Sequence, residues 1–180
     1  MYPGLTSRLA TAKDATPLMY LINSSFRNDS TTEVFAKMDN AGFELVDLAE
    51  IDARIKDSQP NYAMIVAESP DGSLVGHCYV RKLDSESPLM GRLAVDVGWQ
   101  NRGIGGQVVA YAESFVRREW ALRKLAFSVL CTRAGMIAWY TRRGYQLTGK
   151  TEPFPYQHVE SFLKPNFVFR LHGQGAGRRI

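Results

Sequence analysis

The stretch from Gln100 to Gly106 has the residue types that bind a phosphate group. It reads Gln-Asn-Arg-Gly-Ile-Gly-Gly, which supplies a run of backbone N–H groups and one guanidinium. Glycines let an anion approach the backbone closely. A helix that begins here adds unpaired N–H groups and the positive end of its dipole. The chemistry that we predict for this stretch is the binding of a phosphate by backbone amides.

Two common phosphate-binding patterns do not fit this stretch. A Walker loop requires Gly-Lys-Ser/Thr before its helix, and no such tripeptide is present here. A dinucleotide-binding turn requires Gly or Ala three residues after Gly105, where the chain has Val108. A glycine-rich turn without a ligand is the remaining alternative. Because three glycines in four residues lower helix stability at a helix start, a further requirement must favour them.

A strand and a helix must flank this stretch if it is to hold a ligand. Residues alternate at strand spacing from Leu89 to Val97, and apolar residues recur at helical spacing from Ile104 to Glu119. A further helix is predicted at Ala134 to Arg142, ended by Gly144 as a left-handed cap. This helix carries Tyr140. Since the pKa of an unperturbed tyrosine is near 10, its hydroxyl can donate a proton at neutral pH.

The rest of the chain predicts a mixed α/β fold. Asp14 is predicted to cap a first helix that runs to about Phe26, and a second helix is predicted from Leu45 to Lys56. Asn28 to Asn40 reads as an irregular loop. The other predicted strands are Thr6 to Ala10, Tyr62 to Glu68, Leu74 to Leu83, Lys124 to Cys131, Tyr145 to Gly149 and Asn166 to Leu171.

Composition limits the class of protein. The chain has 180 residues, a net charge of +4 and 45% hydrophobic residues, which indicates one globular domain. This charge suits an anionic ligand but is too small to indicate nucleic acid. Cys78 and Cys131 lie in apolar strand-like runs and are expected to be reduced. Without a long apolar segment or a signal-peptide core, we expect a cytoplasmic protein that has no membrane partner.

The loop and its strand resemble a known cofactor site. Gln100, Gly103 and Gly105 match the pattern Gln/Arg-x-x-Gly-x-Gly/Ala, and Leu93-Ala94-Val95 precedes them. Together they closely resemble the acetyl-CoA pyrophosphate loop of the GCN5-related N-acetyltransferase (GNAT) superfamily. Tyr140, four residues before Gly144-Tyr145, has the spacing that is common in the family for the helix after the fifth strand.

The resemblance covers nearly the whole chain and implies one fold. It implies a single GNAT domain over residues 1–172, built on a central mixed, mostly antiparallel sheet of about six to seven strands flanked by helices. Residues 173–180 are rich in glycine and arginine, and we expect them to form a flexible basic tail.

The resemblance also implies a reaction. An amine attacks the thioester carbonyl of acetyl-CoA, and Tyr140 protonates the leaving thiolate. Leu93 and Val95 would hold the pantetheine arm through their backbone groups, with the Val95 N–H as the oxyanion donor. Arg133 stands where relatives often have an asparagine that contacts the cofactor. The cofactor-binding candidates are Leu93, Ala94, Val95, Gln100, Asn101, Arg102, Gly103, Ile104, Gly105, Gly106 and Arg133.

The general base stays open at this stage. Some relatives place a glutamate six residues before the valine, where this chain has Leu89. The candidates that would act through water are Glu68, His77, Glu86 and Asp96, and each has an ordinary structural role as the alternative. An acceptor that arrives as a neutral amine would need no strong base. Phe154, Tyr156 and His158 either line the acceptor pocket or pack in a rigid surface loop.

These observations lead to one main hypothesis. We expect an acetyl-CoA-dependent N-acetyltransferase that acts on a small-molecule or amino-acid-like amine without a metal, as a monomer or homodimer. The alternatives are an acetyltransferase for protein N-termini or lysines and an acyl-CoA-binding sensor without turnover. A nucleotide-binding module is disfavoured by the absent Walker lysine and by Val108.

Overall fold

The computed structural model describes residues 2–27, 45–57, 60–82, 88–130, 133–153 and 172–179. Within them, one seven-stranded sheet has the order β1-β2-β3-β4-β5-β7-β6. Neighbouring strands are antiparallel except β4 and β5, which are parallel. The strands are β1 Thr6–Leu9, β2 Tyr62–Glu68, β3 Leu74–Lys82, β4 Pro88–Val95, β5 Lys124–Leu130, β6 Gln146–Pro153 and β7 His172–Arg179. The mixed, mostly antiparallel sheet expected from the sequence is confirmed.

Four α-helices flank the sheet in the described residues. They are α1 Ala15–Arg27, α2 Leu48–Lys56, α3 Ile104–Trp120 and α4 Ala134–Arg142, with 3-10 turns at Ala12–Asp14 and Val97–Trp99. The predicted bounds of α3 and α4 are confirmed to within one residue, and Gly144 after α4 has a φ of 88°. Helix α2 begins later than predicted because the Asp47 side chain accepts from the Glu50 N–H and caps it there. Asp14 does not cap α1 directly. It lies in the preceding 3-10 turn, whose cap is Thr11.

In the part of the chain that the structure describes, two hydrophobic cores lie on opposite faces of the sheet. In β2, Ala63, Ile65 and Ala67 belong to the core with α3, whereas Met64 and Val66 belong to the core with α1 and α2. This alternation explains why β2 is a continuous apolar run, since both of its faces are covered. Across these described residues, no helix combines the length and the apolar composition that spanning a lipid bilayer requires.

The C-terminal segment differs from the prediction. Residues 173–179, expected to be part of a flexible tail, belong to strand β7, which pairs with β5 on one side and with β6 on the other. Backbone pairing on two sides does not depend on apolar side chains, so a glycine-rich composition did not reveal the strand. Strand β6 also runs further than predicted, to Pro153. The loop predicted at Asn28 to Asn40 and the strand predicted at Asn166 to Leu171 lie outside the described residues.

Candidate active site

Strands β4 and β5 pair for only a short distance and then separate. The pairs are Leu89 with Ala126 and Met90 with Phe127. Beyond them β4 contains a bulge, because the register with β3 shifts by one residue between the pairs that His77 and Tyr79 make with β4. Within the described residues, Ala94 and Val95 of β4 pair with β3, and no residue from Leu93 to Val95 pairs with β5. The bulge therefore leaves an open edge in the middle of the sheet.

A cavity of about 450 Å³ lies at this open edge. It is lined by Ser25, Phe26, Leu93, Ala94, Val95, Trp99, Gln100, Asn101, Gly103, Ile104, Gly105, Gly106, Arg133, Met136, Trp139 and Arg143. Every cofactor-binding candidate from the sequence is in this lining except Arg102. The structure thus brings the strand edge, the glycine-rich loop and one face of α4 together around one space.

The glycine-rich loop turns sharply before α3. Asn101 has a φ of 59° and Gly103 a φ of 81°, both in the left-handed region that asparagine and glycine tolerate. The first intrahelical bond runs from the Gln107 N–H to the Gly103 carbonyl, so the preceding N–H groups of α3 have no acceptor inside the helix. A Cβ at Gly105 would be 3.5 Å from Val95 and 3.9 Å from Leu93 and from Trp139. Gly105 therefore borders the cavity without needing to be glycine for steric reasons.

Arg102 has a different position from the one that the sequence suggested. Its guanidinium carbon lies 5.3 Å from the ring centroid of Trp99, in a cation–π contact. Trp99 itself lines the cavity and packs edge-on against Tyr2 at 5.1 Å. Arg102 thus supports a wall of the cavity and is not part of its lining.

The free edge of β4 has a defined polarity. The Asp96 N–H donates to the Val75 carbonyl of β3 at 3.0 Å. Since backbone groups alternate along a strand, the N–H and C=O of Val95 point to the opposite side, towards the open edge. The Val95 carbonyl accepts from Ser25 Oγ at 3.1 Å and from Gln100 Nε2 at 3.3 Å. Helix α1 and the glycine-rich loop therefore meet at the strand edge.

Six residues of the lining were not identified from the sequence. They are Ser25, Phe26, Trp99, Met136, Trp139 and Arg143. For three of them a signal was present, because Met136, Trp139 and Arg143 continue from Arg133 at spacings of three and four residues, the spacing of one helix face. Nothing local indicated Ser25 and Phe26, which reach the cavity through the packing of α1 against the sheet.

Tyr140 lies at the closed end of the separation between β4 and β5. Its ring is 3.7 Å from that of Phe127, the last β5 residue that pairs with β4, and it also contacts Trp139 and Tyr145. Only 3% of Tyr140 is exposed, and it is not among the lining residues. Burial raises the pKa of its hydroxyl, which is therefore protonated at neutral pH.

The candidate bases have structural partners. Glu68 forms an ion pair with Arg8 at 2.6 Å, and Asp96 accepts from the Gly98 N–H at 2.9 Å. His77 is fully buried with Nδ1 2.9 Å from the Ile65 carbonyl, and burial lowers its pKa to about 3. None of these three lines the cavity. Glu86, Phe154, Tyr156 and His158 lie outside the described residues.

The charges around the cavity favour an anion. Among the lining residues that the structure describes, Arg133 and Arg143 are charged and there is no carboxylate. The amino-terminal end of α3 adds the positive end of its dipole. In the same described part of the chain, no group of three potential metal ligands comes together.

A family model describes this region of the chain. The model of the acetyltransferase (GNAT) family matches residues 23–145, which include every residue of the cavity lining. The chain belongs to the GNAT acetyltransferase family. It is therefore an acetyltransferase, and the resemblance noted in the sequence is confirmed.

Solved structures of GNAT enzymes share the fold at low sequence identity. A GNAT acetyltransferase from Elizabethkingia anophelis with acetyl-CoA bound has a TM-score of 0.66 at 16% identity, covering 99% of both chains. Spermidine N-acetyltransferase from Vibrio cholerae, in complex with CoA and spermine, has a TM-score of 0.71 at 14% identity, covering 98% of this chain and 95% of its own. The ribosomal-protein-S18-alanine N-acetyltransferase from Escherichia coli has a TM-score of 0.69 at 12% identity, covering 98% and 94%. No curated protein matches the sequence significantly.

Proposed function

We propose that this GNAT acetyltransferase transfers an acetyl group from acetyl-CoA to a primary amine of a small molecule or an amino-acid-like substrate. One observation carries the proposal: the cavity joins an unpaired strand edge to the amino-terminal end of a helix. A strand edge binds an extended amide chain, and a helix start binds a phosphate. Acetyl-CoA has both parts in one molecule, with its pantetheine amides next to its diphosphate.

The cofactor would lie along the cavity in one direction. The diphosphate would accept hydrogen bonds from the backbone N–H groups of Gln100 to Gly106, with Arg133 nearby. The pantetheine arm would extend along Leu93 to Val95 like an added strand. The thioester would then lie beside Leu93 to Val95, on the side of the cavity that faces the closed end of the separation, where β4 and β5 meet at Met90 and Phe127.

The reaction follows from this placement. The nitrogen of a neutral amine attacks the thioester carbonyl, and the negative charge develops on the carbonyl oxygen. The Val95 N–H is our candidate donor to that oxygen, because it points to the open edge. The attacking nitrogen, now positively charged, loses a proton to water; the intermediate then collapses, the C–S bond breaks and the CoA thiolate leaves. Tyr140, protonated at neutral pH, is our candidate donor of the proton that the thiolate takes up.

The acceptor differs widely among proteins that share this fold. The structural relatives described above include an enzyme for spermidine and one for a ribosomal-protein alanine. Fold similarity alone therefore cannot select the acceptor. The preference for a small amine over a protein terminus or lysine is tested directly by experiment.

The first experiment is a thermal-shift comparison of acetyl-CoA with ATP and NAD, followed by a CoA-release assay. The assay uses a panel of small amines, amino acids and peptides with a free amino terminus or a lysine. We expect acetyl-CoA, but neither ATP nor NAD, to raise the unfolding temperature of the protein. We also expect CoA release with a member of the small-amine group. Turnover only with the peptides would move the assignment to a protein acetyltransferase. Binding without turnover on any acceptor would indicate an acyl-CoA sensor.

A further inference from the structure

Arg143 follows the last residue of α4, and its side chain lines the cavity. Its Nη2 donates to the Gly106 carbonyl in the first turn of α3 at 2.9 Å. On its other side the guanidinium carbon lies 4.6 Å from the ring centroid of Trp139. The guanidinium is thus held between the backbone of α3 and an aromatic ring. This fixes its position beside the glycine-rich loop.

Gly106 allows this close approach. A Cβ at residue 106 would be 2.6 Å from Nη2 and 2.7 Å from Nη1 of Arg143. These distances are too short for carbon and nitrogen atoms, so a side chain at residue 106 would force the guanidinium away. The third glycine of the loop, unlike Gly105, is therefore required by a specific neighbour. That neighbour is a cation in the wall of the cavity.

Arg143 also lies close to other positive charge in the free protein. The amino-terminal end of a helix repels a cation. Arg133 brings a second cation to the same cavity. No carboxylate of the described residues forms an ion pair with Arg143. An anion in the cavity would attract both arginines and the helix end, and these attractions would offset the repulsion among them.

We propose that Arg143 is a phosphate-binding residue that contacts the diphosphate of CoA, opposite the N–H groups of the glycine-rich loop. This inference rests on the proposed function, since it assumes that the cavity holds CoA. A guanidinium fork held on a tryptophan loses little freedom when it binds two phosphate oxygens. The diphosphate is favoured over the 3′-phosphate because Arg143 contacts Gly106, in the loop where the diphosphate is expected.

The alternative is a purely structural role, in which Arg143 only joins α4 to α3. Substitutions that keep either the hydrogen-bond donor or the positive charge of Arg143 distinguish the phosphate-binding role from the structural one. Arg143→Gln keeps a donor for the Gly106 carbonyl and removes the charge, whereas Arg143→Lys keeps the charge and loses the fork. Arg142→Gln is the matched control, because Arg142 is the adjacent exposed arginine outside the cavity lining.

The test measures the dissociation constants of CoA and of dephospho-CoA by calorimetry at several salt concentrations. For Arg143→Gln we expect both constants to rise about tenfold or more, with a weaker dependence on salt because one charge contact is lost. Arg143→Lys should recover part of the affinity, and Arg142→Gln should match the wild type. Thermal unfolding without ligand shows whether the variants are folded. If Arg143→Gln is unfolded, the test uses Arg143→Lys instead. We then expect an intermediate loss of affinity for both CoA and dephospho-CoA.

Three results would overturn the proposal. Wild-type affinity in folded Arg143→Gln would show that Arg143 does not contact the ligand. A weaker affinity with an unchanged salt dependence would assign it the structural role. A loss for CoA but not for dephospho-CoA would move the contact to the 3′-phosphate. If wild-type protein binds neither ligand, the proposed function itself fails, which is a distinct result.

Discussion

Arg92 and Glu50 join the bulge of β4 to helix α2. Arg92 Nη1 donates to Glu50 Oε1 at 2.8 Å, and Arg54 Nε donates to the same oxygen at 2.9 Å. Arg92 has a φ of 49°, which is rare for a residue with a long side chain and costs of order 1–3 kcal/mol. On β3, Tyr79 lies against Gly91, where a Cβ would overlap its ring. The bulge that opens the cavity is therefore held from two sides.

Replacement of Arg92 should reveal this backbone conformation. Glycine adopts a positive φ without strain, so Arg92→Gly should be more stable than Arg92→Ala by about 0.5–1 kcal/mol. The measurement is the free energy of unfolding in urea. The control is the same pair of substitutions at Arg81, an exposed strand residue without a positive φ. At that position Arg81→Gly should be less stable than Arg81→Ala. An alanine variant at residue 92 that equals or exceeds the glycine variant would contradict the left-handed conformation.

Gly105 should tolerate volume but not negative charge. A Cβ there makes only ordinary contacts, and glycine is a poor helix former, so Gly105→Ala should fold at least as well as the wild type. Gly105→Asp places a carboxylate where the diphosphate is expected. The dissociation constant of acetyl-CoA by calorimetry should then rise at least tenfold, about 1.4 kcal/mol. Unchanged affinity in a folded Asp variant would refute the phosphate site, and an equal loss in both variants would indicate a steric cause.

The local parts of the site could be predicted from the sequence. The strand, the glycine-rich loop and α3 are adjacent along the chain, so the spacing of apolar residues and the turn-forming glycines were enough to place them. Arg143 and Ser25 were missed because they reach the cavity through packing between distant segments. Strand β7 was missed because pairing, and not apolar periodicity, stabilises it. The burial of Tyr140 likewise depends on Phe127, a contact that spacing along one helix cannot reveal.

His77 should make the protein less stable in mild acid. Burial lowers its pKa to about 3, with Arg92 contributing, against about 6.5 in the unfolded chain. The unfolded state then binds a proton that the folded state does not, so stability is lost as pH falls from about 6.5 towards 3. The slope approaches about 1.4 kcal/mol per pH unit for one proton. Urea unfolding of the wild type and of His77→Gln at several pH values measures this pH dependence of the unfolding free energy.

The matched variant keeps a donor for the Ile65 carbonyl, since the glutamine amide can replace the imidazole N–H. The difference in unfolding free energy between the two proteins should be constant above about pH 7 and should change below it. A difference that stays constant down to pH 4 would show that His77 titrates normally in the folded protein.

Tyr140 and Tyr145 provide a paired test of the proposed acid. Tyr140→Phe removes one hydroxyl and keeps the ring on Phe127. If that hydroxyl protonates the thiolate, kcat should fall about 100-fold or more, while the affinity for acetyl-CoA changes by a few-fold at most. Tyr145 belongs to the same aromatic cluster, and its hydroxyl donates to Glu113 Oε1 at 2.9 Å. Tyr145→Phe should therefore cost about 1 kcal/mol of stability and leave kcat nearly unchanged.

The measurements are steady-state kinetics on the best amine of the panel and thermal unfolding of all three proteins. A folded Tyr140→Phe variant with normal kcat has two explanations: the hydroxyl takes no part in the reaction, or thiolate release is not rate-limiting. Rapid-quench single turnover separates them, because it reports the chemical step before product release. A wild-type single-turnover rate in the Phe variant would remove Tyr140 from the mechanism. The buried hydroxyl would then be part of the core.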